Sequence, residues 1–157
     1  MIIDAHSHLW LKQDAVVDGQ PIQTLPTNGS RSIFFGEEVQ MLPPFMIDGI
    51  NSAEIFLSNM DYAQVGGAVV VQEVIDGNQN SYLAEVQRKY ANRFCCLGMA
   101  DSIQDVDRIM EIGLKGISIP GHRLLGTSLL NKMPLFKYLE EKGLILSMCL
   151  ADNEVQI

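Results

Sequence analysis

Short apolar runs alternate with helical patterns along this chain, and the alternation constrains its fold more than any other feature. The clearest run, Ala68–Val71, is apolar at every position, as expected of a parallel strand covered on both faces. The five predicted strands are centred near Ile3, Val70, Cys96, Ile117 and Leu146. Strict alternation of strands with helices produces right-handed βαβ units, so the sequence predicts an α/β fold with a parallel sheet. The pattern leaves two architectures open, a doubly wound open sheet and the first five strands of a (β/α)8 barrel.

Four helices are predicted between the strands, and local signals mark their ends. Asn51 with Glu54 three residues later resembles a capping box, and Gly66-Gly67 is expected to end the helix that it opens. Ser102 can cap the third helix, and Gly143 suits the C-cap of the fourth. The predicted ranges are 51–64, 79–90, 103–110 and 134–142.

The segment between the first strand and the first helix, residues 9–49, shows no sustained period. It contains four of the six prolines in the chain. A long connection without secondary structure is uncommon inside a compact domain, and such segments are often active-site lids or insertions. We therefore expect a single domain over residues 1–157, in which residues 9–49 form a long active-site loop or insertion.

Composition excludes several classes of protein. No apolar run approaches the roughly 20 residues of a membrane span, and no basic segment precedes the first strand, so a cytoplasmic protein that does not enter membranes is expected. The net charge is −8 and the eleven Lys and Arg residues are scattered, whereas nucleic-acid binding requires a basic patch. The three cysteines, Cys95, Cys96 and Cys149, lack the spacing of a disulfide framework or a zinc ribbon. We expect them to be reduced.

Two of the three histidines in the chain follow the first strand, and they form the main candidate site. Side chains alternate along a strand, so His6 and His8 are expected on one face, about 7 Å apart along the backbone. Two imidazoles at that spacing can share one divalent cation. Asp4 lies on the same face, where it either orients an imidazole or accepts hydrogen bonds from backbone amides.

The order of several motifs extends this interpretation. In chain order, the motifs are Asp4–Trp10 with the sequence DAHSHLW, then Val69–Gln72, then a helix that ends before Arg93-Phe94, and then Gly113–Gly116. In this order they resemble the amidohydrolase superfamily. More narrowly, they resemble the amidohydrolase-related branch of sugar lactonases, dicarboxylate lactonases and metal-dependent decarboxylases of small carboxylic acids.

The resemblance implies a distorted (β/α)8 TIM-type barrel with a divalent metal at the C-terminal ends of its strands. His6 and His8 would bind the metal, with zinc expected first and manganese or iron as alternatives. The family takes further ligands from histidines on strands five and six and an aspartate on strand eight. Here the fifth-strand position falls at Cys149, a candidate ligand whose alternative is a plain core residue. Because such a barrel needs about 250 residues, the chain would hold only about the first five βα units, the N-terminal portion of a longer protein or a truncated product.

Further site residues are expected at the strand ends. Gln72, Glu73 and Asp101 follow strands two and three, where substrate contacts would fall, and Gln72 is the preferred candidate. Arg31 in the long segment has the planar fork that suits a substrate carboxylate. His122, beyond the fourth strand, is a candidate acid or base in catalysis. The alternative for each of these residues is a solvated loop position.

The leading functional hypothesis is a metal-dependent hydrolase of a small carboxylated or sugar-derived substrate, above all a lactone. A nonoxidative decarboxylase is the alternative within enzymes, since one metal site supports both reactions. A catalytically inert α/β interaction domain is the alternative from another class, and the absent histidine at Cys149 favours it. The expected partner is a small-molecule substrate. An incomplete barrel would also leave unpaired strand edges, which favours self-association.

Overall fold

The computed structural model describes residues 1–13, 15–17, 19–120 and 128–150 as an α/β chain with parallel strands. In chain order its strands and α-helices are β1 (Ile2–Ser7), β2 (Val16–Val17), β3 (Gln20–Pro21), β4 (Gln23–Leu25), β5 (Asn28–Phe34), β6 (Glu37–Gln40), α1 (Ala53–Tyr62), β7 (Val65–Val70), α2 (Asn80–Lys89), β8 (Phe94–Cys96), β9 (Gly98–Met99), α3 (Ile103–Glu111), β10 (Gly116–Pro120), α4 (Met133–Lys142) and β11 (Ile145–Cys149). Short 3-10 turns span Val74–Asp76 and Leu129–Lys132. None of the helices in the described ranges is long and apolar enough to cross a membrane.

The parallel strands pair in chain order. β1 pairs with β7, β7 with β8, β9 with β10, and β10 with β11, and all four pairings are parallel. β8 and β9 are consecutive and are separated only by Leu97, whose amide donates to the Val70 carbonyl at 2.8 Å. The α/β class and the parallel sheet are thus confirmed. β1 lies at one end of the strand order, whereas a doubly wound sheet places its first strand in the middle.

The core lies between these strands and the helices that connect them. Val70, Cys96 and Ile117, one from each of three neighbouring strands, are fully buried. Each helix contributes a short apolar stripe to the core, as Leu83 does from α2 and Leu139 from α4. Because these strands are parallel, their C-terminal ends share one side of the molecule.

Two predicted helix ends are confirmed, and both predicted ends of the first helix are wrong. Ser102 caps α3 by accepting from the Asp105 amide, and Gly143 takes the left-handed conformation after α4, with φ of 64°. At α1 the cap is Ser52, which accepts from the Ile55 amide. Asn51 instead exchanges two backbone hydrogen bonds with Trp10, at 3.0 and 3.1 Å.

The glycine pair expected to end the first helix lies inside β7. The helix ends at Ala63, and Gln64 makes the turn with φ of 58°. A Cβ on Gly66 would meet only the exposed, movable Met1 side chain at 2.5 Å and the Ile2 carbonyl at an ordinary 3.5 Å, so packing does not require a glycine there.

The expectation of an irregular loop over residues 9–49 is wrong. The segment forms two small antiparallel sheets, one of β2 and β3 and one of β4, β5 and β6. Phe35 and Gly36, at φ of 51° and 82°, make a two-residue turn between β5 and β6. The segment is therefore an ordered insertion between the first strand and α1, and its place in the active site stays a prediction.

Candidate functional site

The site begins with an irregularity in β1. Asp4 pairs with Ala68 and Ser7 with Val70, so three steps along β1 match two along β7, as in a β-bulge. The freed amide of His6 donates to Oδ1 of Asp4 at 3.1 Å. Asp4 therefore accepts a hydrogen bond from a backbone amide, which is one of the two roles that the sequence left open for it. Bulges next to active sites redirect side chains, and this one lies at the first histidine.

The two histidines lie together at the C-terminal end of β1. Their ring centroids are 4.8 Å apart and the planes meet edge to face at 76°. His6 is exposed, whereas His8 is half-buried and its Nδ1 atom is buried with no hydrogen-bond partner among the described residues. A buried nitrogen without a partner is costly unless a ligand occupies it, so this atom is the clearest sign of a binding site.

Neighbouring segments fix the backbone after β1. The Asn51 side chain donates to the His8 carbonyl at 2.7 Å, and the Trp10 indole donates to the Gly49 carbonyl at 2.8 Å. Ser7, which is buried, donates its hydroxyl to the Val69 carbonyl at 2.9 Å. The histidine pair is therefore carried by a backbone that is fixed on both sides.

The electrostatic environment keeps His8 neutral. Burial lowers the pKa of its imidazole below the ordinary value, and the neighbouring His6 lowers it further. Glu73, the Val71 backbone and Asp4 act in the opposite direction, with smaller effects. A neutral imidazole has a free lone pair, which is the form that binds a metal.

A small cleft lies beside the pair, at the C-terminal ends of the strands. Its cavity volume is only about 10 Å³, and it is lined by His6, Val71, Gln72, Glu73, Ser118, Ile119, Ser147 and Cys149. These residues come from or follow four of the parallel strands, so the cleft crosses the sheet. Ser118 and Ser147 were not predicted, because a lone serine inside a strand gives no signal of its own.

Gln72 lines this cleft, but its side chain is committed to the scaffold. It is 2 % exposed. Its Nε2 donates to Asn80 Oδ1 at 2.7 Å and to the Leu97 carbonyl at 3.1 Å, while its Oε1 accepts from the Gln79 amide at 2.7 Å. Both amide protons are thus used within the protein. A substrate contact from Gln72 stays a prediction, and its structural role is the better supported one.

Glu73 differs from its neighbour. It is half-buried, lines the cleft with His6, and acts on the charge of His8. Among the described residues no hydrogen bond or salt bridge holds its carboxylate. The sequence placed Glu73 at a strand end, but only the structure distinguishes it from Gln72.

The sequence matches a known family over most of its length. Residues 3–155 match the amidohydrolase family. The chain belongs to this family. No curated protein gives a significant match.

Two solved structures have a similar fold. One is a probable 2-pyrone-4,6-dicarboxylic acid hydrolase from Acinetobacter baumannii with citric acid bound, at a TM-score of 0.65 and 14 % identity over 98 % of this chain and 51 % of that one. Another is an Agrobacterium tumefaciens protein in its apo form, at a TM-score of 0.55 and 12 % identity over 94 % of this chain and 47 % of that one. At these identities the likeness shows the fold alone. The chain spans about half the length of these structures.

Amidohydrolases usually bind a divalent metal, and the histidine pair fits part of such a site. The proximity of the two rings and the buried Nδ1 of His8, which has no partner among the described residues, are compatible with an imidazole-bound cation. Among the described residues no group of three or more His, Cys, Asp or Glu side chains is arranged to hold a metal. The pair therefore accounts for two ligands of an amidohydrolase site and not for a full set.

Cys149 ends β11, which corresponds to the fifth strand predicted from the sequence. It is exposed and lines the same cleft as His6, whereas Cys96 is buried among the strands. A ligand role for Cys149 stays a prediction.

Two of the remaining candidates have partners of their own. Arg31 lies in β5, where its guanidinium pairs with Glu38 and donates to Gln40 Oε1 at 3.0 Å. Asp101 is largely exposed, and its nearest cation is Lys132, at 3.9 Å. Neither Arg31 nor Asp101 lines the cleft beside the histidines. Their substrate roles stay predictions.

His122 lies outside the described residues. Its predicted role as acid or base stays a prediction.

Proposed function

We propose that this amidohydrolase is a metal-dependent hydrolase that opens a small lactone. The observation that carries the proposal is the histidine pair, whose rings lie 4.8 Å apart at the C-terminal strand ends, with the buried Nδ1 of His8 lacking a partner within the described part of the chain. The family match supports hydrolysis, and the similar Acinetobacter structure is that of a probable hydrolase of a pyrone dicarboxylic acid. A 2-pyrone ring is a lactone, which supports the choice of reaction.

His6 and His8 would hold the metal through neutral imidazoles, with zinc expected first and manganese or iron as alternatives. When bound, a divalent metal lowers the pKa of a coordinated water and polarises a substrate carbonyl. The chain positions the two rings for this task. Asp4 fixes the bulge through the His6 amide, and Asn51 fixes the backbone of His8. Burial keeps the pKa of His8 low, so its lone pair is available near neutral pH.

The proposal includes a closed (β/α)8 barrel. The parallel strands pair in chain order in two runs, β1-β7-β8 and β9-β10-β11, and the matching structures are about twice as long as this chain. Ile2 and Ile3 on β1 and Ile145 and Met148 on β11 are exposed, at the two ends of the strand order. Further strands that pair with β1 and β11 would cover them and supply the remaining metal ligands.

Chelation tests the proposal directly. We expect the purified protein to hydrolyse D-glucono-1,5-lactone or γ-butyrolactone, with proton release followed by a pH indicator. Dialysis against a chelator should abolish the activity and added zinc or manganese should restore it. The His6→Gln/His8→Gln variant should be inactive before and after metal addition, with unchanged circular dichroism. Lactone hydrolysis that persists after chelation and in the double variant would contradict the proposal.

The alternatives predict different results. A nonoxidative decarboxylase would release carbon dioxide from a small carboxylic acid and leave lactones intact. An inert interaction domain would show neither reaction with metal present. The incomplete ligand set of the described residues is the observation that favours the inert alternative.

A further inference from the structure

The acidic side chain of Glu73 bears on which substrates the histidine site accepts. Glu73 follows β7 and lines the cleft together with His6, Ser147 and Cys149. Its charge reaches the histidine pair, because it raises the pKa of His8 against the stronger effect of burial. The carboxylate therefore lies beside the place where the reacting group of a substrate would bind.

The backbone at Glu73 is fixed on both sides. Before it, the Gln72 amide donates to the Ser118 hydroxyl at 3.0 Å, and the Gln72 side chain is held by three hydrogen bonds. After it, the 3-10 turn begins, and the Asp76 amide donates to the Glu73 carbonyl at 3.1 Å. Asp76 is itself buried and accepts from Gln13 Nε2 at 2.7 Å. The position of Glu73 is thus set by the scaffold, while its carboxylate has no protein donor within the described residues.

We propose that Glu73, at the edge of the histidine site, makes that site selective for uncharged, hydroxyl-bearing lactones over lactones that carry a carboxylate. This inference rests on the proposed function. A hydroxyl of the substrate can donate to the Glu73 carboxylate in a charge-assisted hydrogen bond. A substrate carboxylate in the same half-buried place would meet a like charge in a medium less polar than water, where repulsion is stronger than in bulk solvent.

The inference separates the two substrate classes that the sequence left open. The sugar-derived class presents hydroxyl donors, which the carboxylate can accept. The carboxylated class would gain from a cationic side chain beside Glu73, but no lysine or arginine of the described residues lines the cleft, and Arg31 of β5 is paired with Glu38 of β6. Glu73 therefore favours the sugar-derived class.

The test compares two lactones on matched variants. The probes are D-glucono-1,5-lactone, which is neutral, and 5-oxotetrahydrofuran-2-carboxylate, which carries a carboxylate. The measured quantity is the ratio of their kcat/KM values in the wild type, in Glu73→Gln and in Glu111→Gln. Glu111→Gln is the matched control, because it removes the same charge from an exposed position. Glu111 lies at the C-terminal end of α3, before the N-terminal end of β10, whereas the cleft lies at the C-terminal strand ends.

We expect the wild type to prefer the neutral lactone and Glu73→Gln to shift the ratio toward the carboxylated one by about tenfold. Glu111→Gln should keep the wild-type ratio. High salt should weaken the wild-type preference, since salt screens charge repulsion at a partly exposed site. A wild-type preference for the carboxylated lactone, or an unchanged ratio in Glu73→Gln, would overturn the inference. Failure of the wild type on both lactones with metal present would instead overturn the proposed function and this inference with it.

Discussion

Replacing Gln72 with leucine tests whether this residue belongs to the scaffold. The change keeps the side chain close in volume but removes three hydrogen bonds, those with Asn80 Oδ1, the Leu97 carbonyl and the Gln79 amide. Each such bond contributes about 1 kcal/mol net, and the groups left behind are shielded from water. Burial of the apolar leucine offsets part of the loss, so we expect a destabilisation of about 2 to 3 kcal/mol.

For a chain of this size that corresponds to a melting temperature lower by roughly 4 to 12 °C. The measurement is thermal unfolding followed by circular dichroism, with urea unfolding as a check. Gln104→Leu is the matched control, since Gln104 is exposed on α3, and it should change stability by less than about 0.5 kcal/mol. A Gln72→Leu protein that melts with the wild type and loses only activity would refute the structural role. It would favour the substrate contact expected from the sequence.

Two further predictions concern stability and reactivity. Ser102→Ala should cost about 1 kcal/mol through loss of the α3 cap, measured by urea unfolding. The Ser102 hydroxyl also lowers the pKa of Asp105. The stability that this hydrogen bond contributes is therefore complete above about pH 4 and is lost as the pH falls through the folded-state pKa of Asp105. A stability difference between wild type and Ser102→Ala that grows in acid would contradict this. Cys149 should react with Ellman's reagent in the native protein, whereas Cys96, whose pKa burial raises to about 12, should react only after unfolding. Equal rates for the two thiols would be the contrary result.

The parallel half of the fold could be predicted because its signals are local. Val69–Val71 is β-branched, Ser102 caps α3, and Gly143 closes α4, and each signal acts within a few residues. At Asn51 the local signal was ambiguous, since Asn51 and Ser52 are both good helix caps. The contact of Asn51 with Trp10, far along the chain, decided between them.

The insertion could not be predicted because its strands are short and its turn is unusual. β2 and β3 have two residues each, too few for a period to appear, and β3 contains Pro21. The turn between β5 and β6 uses Phe35 in the left-handed region, where Asn or Asp would give the usual signal. Pairing between distant segments, rather than local preference, determines this part of the chain.

The candidate site was predicted in outline but not in detail. From their spacing, His6 and His8 were expected on one face of the strand, and their ring centroids do lie 4.8 Å apart. The bulge in β1, however, interrupts the simple alternation on which that prediction depended. The difference between Gln72 and Glu73 depends on which side chain finds partners in α2 and on the next strand. Such partners come from tertiary packing, which the sequence of one segment does not reveal.

The central claim is that His6 and His8 bind a divalent metal, and a zinc titration tests it most directly. The wild type and His6→Gln/His8→Gln are titrated in competition with a chromophoric chelator, with circular dichroism to confirm that both are folded. Cys149→Ser, in the same titration, shows whether the thiolate contributes. We predict one zinc per wild-type chain and at least about a 100-fold loss of affinity in the double variant. Equal zinc binding by the wild type and the double variant would contradict the claim.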